Sequence, residues 1–575
     1  MIVRHAPRAV KAAVSLPRAP RWVTMFAVTA LVAGPPFQYL RYHHYPLLSP
    51  EVLWPAALVV VMTSAMGIGL NRASRSIRIA GFSLLLLLFL DMQFSFRVYW
   101  PEPVFLGVGL AGIAAGVWVF EGRLETIVAA SLAAFYVAGV PETSAIKSSS
   151  LNFPNVRADT TLPPVVYLIL DEHIGVEGWP MEISSAREMQ RRIRDFYRGD
   201  GFRLFGRAYS EFARTTSSIP AVLNWPVPDP RDDVTEIVPW QRYRLTSNKM
   251  FQTLSARGYR IRIYQSTYLD YCNARAYAIR SCDTSPANSI SNISLLHLPV
   301  WSKTVLVGLY FLEHRSRIYG ELAGLLPSYE ESARSGEPPV RWEREEQSTF
   351  QAAMRLLDRL RQDLRADDPR GTVYFAHLLA PHFPYVVDSA CRPRRLPSLQ
   401  LEQVPAVGFR VASKATERAE RYELYAGQVG CLYRQLEALL RLVDSTRTGR
   451  QTVVIIHGDH GSRIALHGPL PRNVANLDPS DFLDAFATLF AIRAPAIPPG
   501  YDRSFLPIDA LVGRAVESRF ARVDGTDTEP HFVRLESGFT TPYVTVRLAD
   551  TALVPLHGRA APTTLPSPNF RAAPR

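Results

Sequence analysis

The first 140 residues alternate between long apolar runs and short polar connections. The apolar runs cover residues 22–40, 51–70, 78–97, 103–120 and 124–140. Each run is close to the ~20 helical residues that are needed to cross a hydrocarbon core. Because a buried helix of a water-soluble protein does not explain so many runs in succession, the pattern predicts a membrane domain of five helices over residues 1–140.

Basic side chains mark one side of this predicted membrane domain. The segment before the first span and the second connection between spans contain no acidic residue, and they carry Arg4, Arg8, Lys11, Arg18, Arg21, Arg72, Arg75 and Arg78. By the positive-inside rule both segments lie in the cytoplasm, so the chain beyond a fifth span lies outside it. Asp91 falls within the third span, where an ionisable side chain is a functional candidate.

The rest of the chain alternates between strand-like and helical patterns. Residues 141–162 are polar and are expected to form a linker, and residues 559–575 are expected to form a disordered tail. Between them, strand-like runs at 165–170, 259–264, 372–377 and 452–457 alternate with helical patterns near 183–200, 342–366 and 415–445. This alternation predicts one α/β domain over residues 163–558, with a mostly parallel sheet and helices on both faces.

Two of the strand-like runs end in side chains that suit a metal ion. The first is followed by Asp171 and Glu172, and the last by Asp459 and His460 between two glycines. Open α/β sheets place their sites at the carboxyl ends of strands. Carboxylate and imidazole together favour a divalent ion such as zinc or manganese.

Three further segments add polar groups of the kind that act on phosphate or sulfate esters. Thr215, Ser218 and Pro220 lie in a hydroxyl-rich stretch that leads into an apolar run, and His382 follows the strand-like run at 372–377. His467 lies shortly after the Asp-His pair. The arginines near these segments, Arg214 and Arg463, are candidates for binding the oxygens of a phosphate group.

Together these motifs resemble the alkaline phosphatase superfamily, in its sulfatase-like branch. The resemblance covers roughly residues 160–500 and is closest to membrane-anchored phosphoethanolamine transferases of lipid A and to lipoteichoic acid synthases, which are phosphoglycerol transferases. It implies that Asp171, Thr215, Asp459 and His460 bind the metal and that Thr215 is the nucleophile. It also implies that His382 and His467 act in catalysis or substrate binding, and Arg463 is expected to contact the substrate.

The resemblance implies a reaction as well as a site. One or two divalent ions would assist transfer of a phosphoryl headgroup from a membrane phospholipid to a glycan or lipid of the cell envelope, through a phospho-threonine. The enzyme would be a multi-pass protein of the bacterial inner membrane with its catalytic domain on the periplasmic side. The alternative is a sulfatase-like hydrolase or phosphodiesterase. Val222 stands where the formylglycine signature of true sulfatases requires Arg, which argues against sulfate ester hydrolysis.

Several assignments have rivals within the same segments. Glu172 competes with Asp171 as a ligand, and Thr216 and Ser218 compete with Thr215 as the nucleophile. His377 is expected to pack within a strand or to support a ligand, and His457 to orient one. The hydroxyl cluster could instead cap a helix that begins at Pro220.

The stretch at 293–326 mixes large apolar side chains with basic ones. It predicts either a helix on the outer membrane leaflet or a buried helix, and the second is favoured slightly.

Cysteine content and net charge refine this picture. The four cysteines, Cys272, Cys282, Cys391 and Cys431, all follow the membrane segment, as expected in an oxidising compartment. Three pairings are possible, of which Cys272–Cys282 with Cys391–Cys431 is favoured. The net charge of +12 comes partly from cytoplasmic loops, so an anionic lipid surface is a better partner than nucleic acid. The oligomeric state stays open.

Overall fold

The computed structural model describes residues 20–94, helical pieces between 107 and 133, and residues 149–316, 349–394 and 415–555 with short internal gaps. The chain divides into two compact units. One unit comprises Met1–Ala145 and Leu298–Gly336 and is called the membrane unit here, after three helices that are long and apolar enough to cross a membrane. The other, the α/β unit, comprises Ile146–His297 and Glu337–Arg575. A segment from the middle of the α/β sequence therefore belongs to the membrane unit.

The helices are numbered in chain order through both units. They are α1 (Arg21–Tyr42), α2 (Pro50–Arg72), α3 (Arg75–Phe94), α4 (Ala186–Gly199), α5 (Thr215–Asn224), α6 (Lys249–Ala256), α7 (Val300–Arg315), α8 (Thr349–Ala366), α9 (Ala415–Ser445), α10 (Pro479–Phe486) and α11 (Ile508–Glu517). Helices α1, α2, α3 and α7 belong to the membrane unit, and the others to the α/β unit.

Helices α1, α2 and α3 are each long and apolar enough to cross a membrane. Val28 and Leu31 of α1 are buried with Phe82 and Phe89 of α3 in one apolar cluster, whereas α2 turns Val61 outward. The first three predicted spans are thus present as helices. The predicted spans at 103–120 and 124–140 fall largely outside the described residues, within which 111–116 and 128–133 are helical, so a total of five stays a prediction.

The strands of the α/β unit are also numbered in chain order. They are β1 (Ser149–Asn152), β2 (Val165–Leu170), β3 (Arg203–Phe205), β4 (Val234–Val238), β5 (Arg242–Leu245), β6 (Arg260–Ser266), β7 (Leu269–Asp270), β8 (Ile279–Ser285), β9 (Thr372–Leu378), β10 (Val453–Gly458), β11 (Phe490–Arg493), β12 (Gly500–Asp502), β13 (Phe532–Leu535), β14 (Val544–Ala549) and β15 (Ala552–Pro555).

A nine-stranded sheet organises this unit in the order β1-β8-β6-β9-β2-β10-β11-β3-β12. Strands β8, β6, β9, β2 and β10 are parallel, while β1 and β11 pair antiparallel at the two flanks. The prediction of an α/β domain with a mostly parallel sheet is confirmed. Two three-stranded sheets, β13-β14-β15 and β4-β5-β7, accompany the large one.

Strand β2 is buried on both faces, and its alternate side chains enter two different cores. Val166, Leu168 and Leu170 pack with α4, α8, α9 and α10, and Val165, Tyr167 and Ile169 pack with α5, α6 and α11. This explains why the strand reads as a continuous apolar run instead of an alternating one. Helices therefore cover both faces of the sheet. The side chains that follow the central strands lie at the carboxyl ends of these strands.

Other local predictions can be compared directly with the structure. The bonds Cys272–Cys282 and Cys391–Cys431 are both present, which confirms the favoured pairing. Within the expected linker at 141–162, Ser149–Asn152 form strand β1. The helix expected to begin at Pro220 begins instead at Thr215, because the hydroxyl residues themselves form its first turn. The expected tail lies outside the described residues.

Candidate active site

The candidate site is built at the ends of three neighbouring parallel strands. Leu170 of β2 is paired in register with Gly458 of β10 on one side and with Leu378 of β9 on the other. Asp171 and Asp459 are each the next residue, so they leave the sheet at the same level. His377 is the penultimate residue of β9 and lies in the same region.

Asp459 is buried and only one of its carboxylate oxygens is hydrogen-bonded. Its Oδ1 accepts the backbone N–H of Glu172 at 3.0 Å and that of His460 at 2.9 Å. Its Oδ2 accepts no hydrogen bond of ordinary geometry from the residues that the structure describes. Burial opposes ionisation of Asp459, but electrostatic interaction with the imidazoles of His460 and His377, together with hydrogen bonds from the backbone of Glu172 and the hydroxyl of Thr215, outweighs it and lowers the pKa. The ionised carboxylate of Asp459 therefore lies in the site, held through Oδ1 by two backbone N–H groups.

The imidazole of His460 is fixed in one tautomer. Its Nδ1 lies 3.0 Å from the carbonyl oxygen of Gly461, and because a carbonyl can only accept, Nδ1 carries the proton. Burial lowers the pKa of His460, which favours the neutral ring. Its Nε2 then presents a lone pair, 3.2 Å from Asp459 Oδ2 and 3.9 Å from Asp171 Oδ1.

Thr215 contacts the imidazole of His460. It is the first residue of α5, is buried, and its Oγ1 lies 3.3 Å from His460 Nε2. The rival Ser218 donates its hydroxyl to the backbone oxygen of Asp459 and accepts from Ser210, so it is already engaged in packing α5 onto the site. Thr216 has no described contact with the acidic group. The geometry therefore favours Thr215 among the hydroxyl candidates.

Glu172, His382 and Arg463 form a second polar group beside the first. Glu172 Oε1 lies 3.4 Å from His382 Nε2 and 3.5 Å from Arg463 Nη1. His382 Nδ1 donates to the carbonyl of Phe383, which turns its Nε2 toward the carboxylate. Glu172 and Arg463 both have positive φ angles, 62° and 59°, which are uncommon for non-glycine residues and concentrate at functional sites.

His377 takes a more central position than its strand pattern predicts. Its Nε2 lies 3.5 Å from Asp171 Oδ2, and its Nδ1 is hydrogen-bonded to the hydroxyl of Tyr271 at 3.0 Å. Burial lowers the pKa of His377 to about 4, so the ring is neutral. One ligand atom each from Asp171, His377 and Asp459 lies within 4.8 Å of the others. The strand pattern alone does not indicate that His377 belongs to this group of possible metal ligands.

The structure places His467 in a separate polar group. Its Nδ1 is 2.9 Å from Asp481 Oδ2, and the other oxygen of Asp481 accepts the backbone N–H groups of Leu466 and His467. The side chain is half-exposed and groups with Asp478 and Asp481. Among the described contacts, none joins His467 to Thr215 or Asp459, so its expected catalytic role stays a prediction.

The sequence pattern does not indicate Glu536, which is bonded to the first turn of α5. Glu536 is buried and accepts the hydroxyl of Ser217 at 2.8 Å, and its Oε1 lies 3.8 Å from Arg214 Nε. Burial raises the pKa of Glu536 to about 7. Burial also lowers the pKa of Arg214, with a further contribution from the positive charge of Arg463. The two arginines therefore lie near each other, close to Thr215.

Two residues beside the Asp-His pair have structural roles. His457 donates through Nδ1 to the carbonyl of Gly458 and is hydrogen-bonded through Nε2 to Tyr167 at 2.7 Å, which leaves it no free nitrogen for a ligand. A side chain at Gly461 would overlap the backbone oxygen of Asp484. Glycine is therefore required there for close packing of the chain against α10.

The side chains at the strand ends fit a divalent metal. Asp171, Asp459 and His460 offer oxygen and nitrogen lone pairs, with Asp459 Oδ2 lacking a hydrogen bond and His460 Nε2 deprotonated. Asp171, Glu172 and His382 form an overlapping group of possible ligands. Facing lone pairs repel one another in a buried site unless a cation lies between them. Oxygen and imidazole donors suit zinc or manganese, and the overlap leaves room for one or two ions.

Among known proteins, the chain resembles solved structures but no curated protein sequence. No family model and no curated protein sequence matches the chain. Similar solved structures are sulfatases and phosphonate monoester hydrolases. A putative sulfatase of Bacteroides fragilis is 11% identical with a TM-score of 0.38, over 68% of this chain and 84% of that one. The phosphonate monoester hydrolase of Agrobacterium radiobacter is 13% identical with a TM-score of 0.37, over 65% and 80%.

A second phosphonate monoester hydrolase, from Silicibacter pomeroyi, is 14% identical with a TM-score of 0.38, over 65% of this chain and 79% of its own. Because the identities and TM-scores are low, the chemistry of this chain is argued from its own side chains.

Proposed function

We propose that this protein is a metal-dependent, membrane-anchored transferase. It moves a phospholipid-derived phosphoryl headgroup, phosphoethanolamine or phosphoglycerol, to a glycan or lipid of the cell envelope. Thr215 carries the group between donor and acceptor as a phospho-threonine. The enzyme acts in the bacterial inner membrane with the α/β unit on the periplasmic side.

One observation supports the covalent step above the others. Thr215 Oγ1 lies 3.3 Å from His460 Nε2 at the N-terminus of α5, and its hydroxyl is hydrogen-bonded to Asp459. A hydroxyl is a weak nucleophile until a base or a cation activates it. The helix N-terminus adds a partial positive charge and backbone N–H groups that favour a bound phosphate.

The residues of the site divide the chemistry between them. A divalent metal, when bound, supplies positive charge that lowers the pKa of a hydroxyl and offsets the charge of the phosphate. Thr215 releases its hydroxyl proton to water and attacks phosphorus, and the bond between phosphorus and the oxygen of the lipid breaks. We assign protonation of the departing oxygen to His382, whose ring contacts the carbonyl of Phe383 and the carboxylate of Glu172. Arg463 and Arg214 offer guanidinium groups for the remaining phosphate oxygens.

Hydrolysis is the second candidate function, since the same phospho-threonine could pass its group to water. The buried, fully bonded Ser218 and the Val222 that follows Pro220 disfavour formylglycine chemistry, and hence a sulfatase proper. Transfer and hydrolysis are distinguished by the product that forms when a glycan or lipid acceptor is supplied.

The test is a search for the covalent intermediate. The full-length protein is incubated with zinc or manganese and phospholipids labelled in the headgroup, and peptides are analysed by mass spectrometry. We expect an adduct on the peptide containing Thr215, whose mass identifies the donor. Thr215→Ala is expected to abolish the adduct while retaining metal, and Thr216→Ala is the matched control that keeps it. Normal turnover by Thr215→Ala with metal bound would disprove the proposal.

A further inference from the structure

Helix α7 belongs to the membrane unit although its sequence interrupts the α/β unit. Two hydrogen bonds join this segment to α2 and α3. Thr304 donates its hydroxyl to the backbone oxygen of Glu51 at 3.1 Å, and Ser316, just beyond the helix, donates to Asp91 Oδ2 at 2.7 Å. Both partners are buried in the described membrane unit. At 1.5 Å per residue these two anchors are about 18 Å apart along the helix.

The contacts described for α7 lie at one end of the bundle. Glu51 is in the first turn of α2 and Asp91 is in the last turn of α3. Near the end of α1, the ring of Tyr39 packs 5.4 Å from Phe311 and lies under the guanidinium of Arg315. Helix α7 therefore runs across this end of α1, α2 and α3.

The same end carries exposed large apolar side chains. Trp301 in the first turn of α7 is 64% exposed, and its ring lies 6.2 Å from that of Trp54, which is 46% exposed. Leu48, in the connection before α2, is 84% exposed. The opposite end of the bundle carries Arg21, Arg72 and Arg75 instead.

We propose that α7 lies in the headgroup region of the outer leaflet and attaches the α/β unit to the phospholipid surface at a second point. Three features support a lipid surface as the partner. Paired tryptophans are typical of a membrane–water interface, α7 is joined to three apolar helices, and the arginine-rich end of the bundle marks the opposite, cytoplasmic side. The inference rests on the proposed function, because a second attachment brings the catalytic residues to esters that are carried by lipids.

The position of α7 can be measured by depth-dependent quenching. Trp301→Cys in the full-length chain is labelled with an environment-sensitive fluorophore and reconstituted into phosphatidylglycerol–phosphatidylethanolamine vesicles. Spin-labelled lipids then quench from the headgroup or from the middle of the acyl chain. The matched control is Val61→Cys, which is also exposed but is the twelfth residue of α2, about 16 Å from the start of the helix.

We expect the label at position 301 to be quenched mainly by the headgroup probe and the label at position 61 mainly by the acyl-chain probe. Quenching of position 301 by aqueous iodide, with no effect of either lipid probe, would overturn the proposal and favour a water-exposed surface. Iodide protection that persists in detergent but depends on protein concentration would overturn it in favour of a second copy of the chain.

Activity provides an independent readout. Trp301→Ser is expected to lower kcat/KM roughly tenfold for phospholipid in vesicles, mainly through KM, and to leave turnover of a water-soluble phosphodiester unchanged. Met62→Ala, another exposed apolar position of α2, is the control that leaves both activities unchanged. An equal loss on both substrates would overturn the proposal. If the unmodified protein turns over neither substrate, the proposed function fails, and the quenching result still decides the position of α7.

Discussion

Replacement of Glu536 by Gln tests the role of this buried carboxyl, which accepts the hydroxyl of Ser217 in α5. Burial raises the pKa of Glu536 to about 7, although Arg214 and the hydroxyl of Ser217 partly offset the effect. In the unfolded chain the same carboxyl titrates near 4.5. Between these values the folded protein holds a proton that the unfolded chain has released. The contribution of this group to stability is therefore fully present below pH 4.5 and is lost as the pH rises through about 7.

The interval from 4.5 to about 7 sets the size of the effect. At about 1.4 kcal/mol for each pH unit, it corresponds to roughly 3 kcal/mol in the free energy of unfolding. Gln has no proton to release and keeps the neutral form at every pH. We therefore expect the Glu536→Gln variant to lose less stability than the unmodified protein between pH 5 and pH 7.5.

The assay is urea unfolding of the full-length protein in detergent, followed by tryptophan fluorescence at four pH values from 5 to 8. Glu517→Gln is the control. The hydrogen bond from Trp225 lowers the pKa of Glu517, so its contribution is lost only as the pH falls below this window. Parallel curves for Glu536→Gln and the unmodified protein would refute the reasoning, since the buried carboxyl would then not titrate in this range.

Three further predictions concern the site and its framework. Tyr271→Phe removes the hydrogen bond to His377 and is expected to weaken metal binding by about tenfold in competition with a fluorescent chelator; unchanged affinity would contradict a supporting role. Gly461→Ala forces a methyl group against a backbone oxygen and is expected to cost about 1–3 kcal/mol in thermal unfolding, and a stable variant with full metal content would contradict the packing described. Replacing Cys391 and Cys431 by Ser opens a loop that spans 40 residues and is expected to cost about 4 kcal/mol; equal urea midpoints for variant and unmodified protein would contradict this.

The sequence pattern locates the core strands and long helices closely. The apolar runs at 165–170 and 372–377 correspond to β2 and β9, and the helical pattern at 415–445 matches α9. These elements are long, and their burial on both faces leaves an unambiguous apolar run. Short strands at the edges, such as Arg203–Phe205 and Gly500–Asp502, carry too few residues to produce a pattern and depend on neighbours far along the chain.

The site is predictable only where its residues follow a strand or begin a helix. Asp171, Asp459 and His460 are close together because parallel strands end at one edge, and Thr215 joins them at the start of α5. Glu536 is the residue after β13 and accepts the hydroxyl of Ser217, more than 300 residues away in the sequence, so no local signal indicates it. The pairing of Tyr271 with His377 depends in the same way on tertiary contacts.

The in-register ending of β2 and β10 sets the dimensions of the candidate metal centre. Asp171 and Asp459 extend adjacent strands at one level, so their backbones are separated by the strand spacing of about 4.8 Å, whatever side chains they carry. A substitution at Asp171 or Asp459 therefore changes how far the side chain reaches across a gap whose width is set by the pairing of the two strands.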